Sequence, residues 1–135
     1  MTVGVPGESY QLGAFKVVGF GGTHAEIHSS MPRVDNLGVV VNGEFAYAGD
    51  AYLAPPSSFD IKVLAVPAYG PWMRIADTMD FITQVRPRAV LSCHEMLLAK
   101  SGKDLANARI RAAVESYGGL YLQPNSYDAI ELDDL

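Results

Sequence analysis

The chain has 135 residues, of which 49% are apolar and 19% are charged. This composition excludes a disordered or low-complexity protein, because the apolar surface is large enough to offset the entropy of ordering. Ten Lys and Arg against fifteen Asp and Glu give a formal net charge of −5, and no stretch clusters basic residues, so no nucleic-acid partner is expected.

The cysteine count and the hydropathy pattern indicate the compartment. One cysteine cannot form an internal disulfide, which predicts a cytoplasmic protein. We expect neither a signal peptide nor a membrane partner, because the start of the sequence lacks a basic and an apolar region and no apolar run approaches 18 residues.

Short apolar and β-branched runs predict a chain rich in strands. The predicted strands are 15–20, 37–41, 44–48, 61–67, 88–93, 120–122 and 127–132. The pair Asn42-Gly43 predicts a type I′ hairpin, because both residues accept a positive φ. Several runs are apolar without alternation, which is typical of strands buried on both faces.

Two segments predict helices, at 72–86 and 103–117. Pro71 suits the first turn of the earlier helix, and Ser101 to Asp104 resembles a capping box at the start of the later one. Two helices can cover only one face of a sheet. The second face then requires either a sheet that folds onto itself or another subunit, and the pattern leaves both open.

The glycines at 19–22 suggest either a phosphate loop or a glycine-rich turn that leaves a strand. A dinucleotide fingerprint needs glycine at position 24, which is His24, and no P-loop Lys follows. The turn is therefore favoured over a small-ligand binding domain that uses this loop.

Three polar residues each follow a predicted strand: His24, Asp50 and His94. Loops that leave one edge of a sheet can converge, and two imidazoles with a carboxylate suit zinc, iron or manganese. A structural histidine and a turn-capping aspartate remain the alternatives.

Cys93 and His94 are not expected to form a nucleophile and its base, because neighbouring side chains of a strand point to opposite faces. Cys93 is expected to be a buried core thiol.

The order of several short motifs resembles the C-terminal half of metallo-β-lactamase-fold hydrolases, and the branch it is most similar to is that of ascorbate-6-phosphate lactonase. The motifs are Gly22-Thr23-His24-Ala25-Glu26-Ile27-His28, Pro32, Asn36-Leu37-Gly38-Val39-Val40-Val41, Tyr47-Ala48-Gly49-Asp50-Ala51, Asp60 to Pro67, Pro71-Trp72, Arg86-Pro87 and Ser92-Cys93-His94. The resemblance implies an α/β fold that is half of an αββα sandwich, with a mixed β-sheet and two main helices on one face.

The resemblance also implies roles for individual residues. His24 would ligate a first metal, Asp50 would bridge two metals, and His94 would ligate the second; His28 matches a position near the site without a ligand role. In this family the metals activate water for attack on an ester, lactone, amide or phosphoester.

The family's H-x-H-x-D-H signature is not found in residues 1–135, which are expected to form a single domain without the N-terminal half that carries this motif. We therefore expect a metal-dependent hydrolase half-domain, inactive as an isolated chain. Its apolar sheet face would pair with a second copy in a homodimer or with a separately encoded N-terminal half. The alternative is a non-catalytic truncated relic or binding module. One divalent metal, zinc or manganese, or none, is expected.

Overall fold

The computed structural model describes residues 4–124, 129–132 and 135, and within them seven strands form one mixed sheet. The strands are β1 (Ser9–Leu12), β2 (Phe15–Thr23), β3 (Asp35–Val41), β4 (Phe45–Tyr47), β5 (Val63–Pro67), β6 (Ala89–Cys93) and β7 (Leu120–Leu122). They lie in chain order across the sheet; β1 to β4 are antiparallel to their neighbours, and β4 to β7 run parallel.

The described residues include two helices, α1 (Ile75–Val85) and α2 (Lys100–Glu115), and both pack on the same face of the sheet. This confirms an α/β fold with two helices on one face. Neither helix is long and apolar enough to cross a membrane, as far as the described residues go.

Both helices begin at positions that differ from the sequence prediction. Helix α1 begins at Ile75, because Asp77 in its first turn accepts the backbone N–H of Arg74 (3.3 Å) and so fixes the start after Trp72. Helix α2 begins at Lys100, after Ala99, which provides no side-chain cap. The predicted capping box is therefore wrong, and Asp104 instead pairs with Lys100 at 2.6 Å.

Six of the predicted strands are present, and the hairpin at Asn42-Gly43 is confirmed, with φ values of 52° and 79°. Strand β1 was not predicted, since it is an exposed edge strand without an apolar run. The predicted strand 127–132 is wrong at 129–132, where the backbone pairs with no strand, and its first residues lie outside the described part. The prediction of a glycine-rich turn at residues 19–22 is also wrong, because these residues lie within β2.

The hydrophobic core lies between the sheet and the two helices. Alternate residues of the strands face it, and the largest fully buried side chains there are Val40, Leu64, Val66, Val90, Phe81, Ile82, Ile110 and Val114. Burial of this apolar area is the main favourable term for the fold.

The opposite face of the sheet, here called the open sheet face, is also apolar. At the antiparallel end its side chains line a groove of about 230 Å³, formed by Gly4, Tyr10, Leu12, Val17, Gly19, Leu37 and Val39. At the parallel end the chain's own Pro124, Ile130 and Leu132 line a second groove with strand residues of this face. Leu12 and Phe15 are more than half exposed (61% and 56%), so the antiparallel end of the face is open to solvent.

Candidate metal centre

The topology places the ends of several strands at one edge of the sheet. Strands β2, β4 and β6 run in the same direction, so their carboxyl ends meet at this edge. His24 follows β2 directly, His94 follows β6 directly, and Asp50 comes three residues after β4. This is the edge at which open α/β sheets hold their functional groups.

The three side chains converge around the carboxylate of Asp50. Its Oδ2 lies 3.5 Å from His24 Nε2, and its Oδ1 lies 4.0 Å from His94 Nε2. The side chain of His24 is the most buried, at 12% exposed, and His94 is the most accessible at 34%. The structure therefore brings together all three residues that the sequence singled out.

A backbone hydrogen bond orients the imidazole of His24. Its Nδ1 lies 2.6 Å from the carbonyl oxygen of Ala25. A carbonyl oxygen can only accept, so in the neutral ring the proton is on Nδ1 and Nε2 keeps its lone pair. This is the arrangement that metal-ligating histidines adopt.

The loop that carries Asp50 is fixed by Asn36, which the sequence reading did not single out as a functional residue. Asn36 accepts the backbone N–H of Asp50 through Oδ1 and donates from Nδ2 to the carbonyl of Ala48, both at 2.9 Å. Glycine is required at position 49, between Ala48 and Asp50, because its φ is +67° and a Cβ there would collide with the Asn36 carboxamide. An asparagine at the start of a strand, opposite a Gly-Asp pair, was the available signal.

The second residue missed by the sequence is Trp72, which was expected within a helix. It lies in a turn before α1, and its indole contacts the imidazoles of both His24 and His94. The pair Pro71-Trp72 offered no chemical signal by itself, because packing is the usual role of tryptophan.

Two other candidate residues, His28 and Cys93, make no hydrogen bond or ion pair with His24, Asp50 or His94 within the described residues. His28 is exposed, and its Nδ1 pairs with Ser30 Oγ at 2.7 Å. Cys93 is partly buried rather than fully buried, and its thiol donates to the carbonyl of Val66 at 3.3 Å. Burial raises the pKa of the Cys93 thiol to about 11, so it stays protonated at neutral pH and cannot act as a thiolate nucleophile.

The donor set fits one divalent cation in its chemistry. Asp50 Oδ1 is buried and has no hydrogen-bond partner, and its Oδ2 faces a histidine nitrogen that carries a lone pair. Such atoms are costly to leave unpaired and are stabilised by a cation between them. Among the described residues, however, no group of three or more His, Cys, Asp or Glu side chains is arranged to hold a metal ion.

No protein-family model matches the sequence. The chain is 29% identical over 109 residues to the protein Rv0786c of Mycobacterium tuberculosis, an alignment that covers 77% of this chain. The aligned part spans 50% of that relative, so the chain corresponds to about half the length of the curated protein it matches.

Three solved structures that share the fold are metal-dependent enzymes by their names. They include Igni18, a metallo hydrolase of Ignicoccus hospitalis (TM-score 0.58, 16% identity, 87% of this chain and 55% of that one), and a protein of Parabacteroides distasonis named as a metal-dependent hydrolase (0.56, 12%, 87% and 54%). A third is CmlA, a diiron β-hydroxylase of Streptomyces venezuelae (0.54, 12%, 86% and 32%). The chain thus has the fold of half of a metallo-β-lactamase-like sandwich.

Proposed function

We propose that the chain is a half-domain of a metal-dependent hydrolase of metallo-β-lactamase-like fold, inactive without a partner, with His24, Asp50 and His94 as its metal ligands. The observation that carries this proposal is the convergence of both imidazoles on a carboxylate whose buried Oδ1 accepts no hydrogen bond from the described residues. The hydrolase names of structures that share the fold support the reaction class.

Each residue has a distinct task in this proposal. A divalent cation, zinc or manganese, would supply Lewis acidity toward a substrate carbonyl or phosphoryl oxygen. His24 presents the Nε2 lone pair because Ala25 holds the proton on Nδ1, and Asp50 presents a carboxylate fixed by Asn36. His94, the most exposed of the three, lies on the solvent side, where a substrate would enter.

The resemblance to the ascorbate-6-phosphate lactonase branch makes lactones and phosphoesters the first substrates to test. Both present an oxygen that becomes more negative in the transition state, and a cation at this sheet edge would stabilise it.

Activity, in this proposal, depends on a partner that covers the open sheet face. The face is apolar and exposed at Leu12 and Phe15, which soluble monomers avoid over large areas. The hydrolases that share the fold are longer than this chain, and the aligned part of this chain covers only 54–55% of them. The partner is a second copy in a homodimer or a separately encoded half, placed sheet against sheet.

One observation favours a second candidate, a non-catalytic module that holds at most one metal. Two imidazoles lie beside Asp50, and no group of three or more His, Cys, Asp or Glu side chains among the described residues is arranged to hold a metal ion. Three ligands hold one cation and leave no donors for a second.

Metal analysis of the purified chain tests the site. We expect about one equivalent of zinc or manganese, lost in His24→Ala, Asp50→Ala and His94→Ala and retained in His28→Ala, since His28 is exposed and pairs with Ser30. A wild-type chain that binds neither metal would contradict the proposal. Hydrolysis of lactone and phosphoester substrates by the loaded chain then separates the enzyme from the non-catalytic module.

Light scattering after size-exclusion chromatography tests the partner. Leu12→Lys on the open sheet face should convert a dimer to a monomer, whereas Leu105→Lys on α2 should not. The two leucines are matched, because each is 61% exposed and neither substitution disturbs the core. A well-folded wild-type monomer would exclude the homodimer and leave the separate half, to be sought by adding candidate N-terminal halves to the assay.

A further inference from the structure

Trp72 lies against both proposed metal-ligating imidazoles. Its indole is 4.8 Å from the ring of His24, at an interplanar angle of 73°, and 5.1 Å from the ring of His94, at 82°. Both contacts are edge-to-face, the geometry that aromatic rings prefer. One side chain therefore touches two rings that belong to loops after different strands.

Packing holds the indole in this place. Trp72 lies in a turn closed by the N–H of Met73 and the carbonyl of Gly70 (3.2 Å), and the turn follows Ala68, whose N–H donates to Cys93 (2.8 Å) at the end of β6. The indole Nε1 is buried and makes no hydrogen bond within the described residues. Its position is thus set by ring contacts and by the turn rather than by a polar partner.

Gly70 makes room for the indole. A Cβ on this residue would lie 2.5–2.7 Å from three atoms of the Trp72 ring, closer than non-bonded carbons approach. Any larger residue at position 70 would push the indole away from its present place. The glycine and the tryptophan act as one unit.

We propose that Trp72, seated on Gly70, is a positioning residue that fixes the ring orientations of His24 and His94 for metal binding. This inference rests on the proposed metal site. A metal ligand must keep its lone pair aimed at the cation, and groups that hold the ligand rings contribute to affinity although they do not touch the metal. His24 already has a backbone hydrogen bond at Nδ1, whereas no hydrogen bond of His94 is found within the described residues, so His94 depends more on Trp72.

Zinc affinity is the first readout, measured by competition with a chromophoric chelator. Trp72→Leu should weaken zinc binding about tenfold or more, as loss of ligand-orienting groups does elsewhere. Trp72→Phe keeps an aromatic edge, so its zinc affinity should lie between those of the wild type and Trp72→Leu. Gly70→Ala should weaken zinc binding by displacing the indole. Gly102→Ala in α2 is the matched control and should bind zinc as the wild type does, because the atoms nearest to its Cβ would belong to Leu98 and not to Trp72.

Histidine ring dynamics of the metal-free chain, measured by NMR relaxation, are the second readout. The sequence has three histidines. In Trp72→Leu the rings of His24 and His94 should become more mobile, while that of His28, which pairs with Ser30, should not change. A purely structural role of Trp72 would lower the melting temperature and leave both the zinc affinity and the ring mobility unchanged.

The two readouts separate the two proposals. If the wild type binds zinc through His24 and Asp50 and Trp72→Leu binds it equally well, the positioning role is overturned and the metal site stands. If the wild type binds no metal, the metal site fails and the role of Trp72 in metal binding fails with it. The relaxation data would then decide only whether Trp72 orders the two rings, which unchanged His24 and His94 rings in Trp72→Leu would also overturn.

Discussion

The carboxamide of Asn36 fixes the backbone of Asp50, through a hydrogen bond of 2.9 Å from the Asp50 N–H to Asn36 Oδ1. A second bond of 2.9 Å, from Nδ2 to the carbonyl of Ala48, ties the same loop from its other side. Asn36 lies in β3, next to β2, which leads to His24. One side chain in the sheet therefore sets the place of the carboxylate relative to an imidazole.

Replacing Asn36 tests this arrangement. Asn36→Ala leaves a partly buried N–H and a carbonyl without partners, which should lower the free energy of unfolding by about 1–3 kcal/mol. It should also weaken zinc binding, since Asp50 is no longer held. Urea unfolding and chelator competition measure the two effects.

Asn107→Ala is the control for this substitution. Asn107 accepts a hydrogen bond from Ser92 at 2.8 Å on the helix side of the sheet and holds no proposed ligand. Zinc affinity equal to that of the wild type in Asn36→Ala would show that Asp50 keeps its place without the carboxamide.

Gly49 and Gly118 offer a matched pair of positive-φ glycines, at +67° and +86°. Alanine at either position should cost about 1–2 kcal/mol for the left-handed backbone. Gly49→Ala should cost more, because its Cβ would also collide with Asn36, whereas a Cβ at Gly118 meets nothing within 4 Å. Thermal or urea unfolding of both variants measures the difference, and equal losses would contradict the close approach of Gly49 and Asn36.

Helix α2 provides a test of where the core lies. Ile110 is fully buried at 0% exposure, and Leu105 on the same helix is 61% exposed. Ile110→Ala should lower the free energy of unfolding by about 2–5 kcal/mol through lost burial and the cavity left behind. Leu105→Ala should change it by about 0.5 kcal/mol or less. Similar losses in the two variants would mean that α2 presents a different face to the sheet.

The raised pKa of Tyr117 should make the folded protein less stable at high pH. Burial raises the pKa of Tyr117 from 10.0 to about 12, and its hydroxyl donates to the carbonyl of Pro87 at 3.1 Å. A folded-state pKa above the unfolded value means that the contribution is complete below pH 10 and is lost as the pH rises toward 12. Urea unfolding between pH 9 and about pH 12 should show this fall.

Tyrosine variants check the assignment. Burial also raises the pKa of Tyr47 to about 12, so Tyr117→Phe and Tyr47→Phe should each remove a part of the alkaline fall. Tyr117→Phe should in addition cost about 1 kcal/mol at neutral pH, for the hydrogen bond to Pro87. If the free energy of unfolding falls equally at high pH in both variants and in the wild type, neither tyrosine causes the fall.

Most of the fold could be predicted from the sequence because its signals are local. Apolar runs such as Val63–Pro67 indicate strands through burial on both faces, and Asn42-Gly43 indicates a hairpin through its backbone preferences. The helix count implied that helices cover only one face of the sheet, and both helices do pack on one face. Edge strand β1 escaped prediction since pairing rather than composition makes it a strand.

The candidate site was predictable in its members and not in its arrangement. His24, Asp50 and His94 could be singled out because each follows a strand, and parallel strand ends share an edge. Their distances, the unpartnered Oδ1 of Asp50 and the contacts of Trp72 depend on side chains brought together from remote parts of the chain. The sequence by itself determined most of the secondary structure and the donor types, because these follow from local chemistry. The tertiary structure alone decided which groups meet and what holds them, because those contacts join residues that are far apart in the chain.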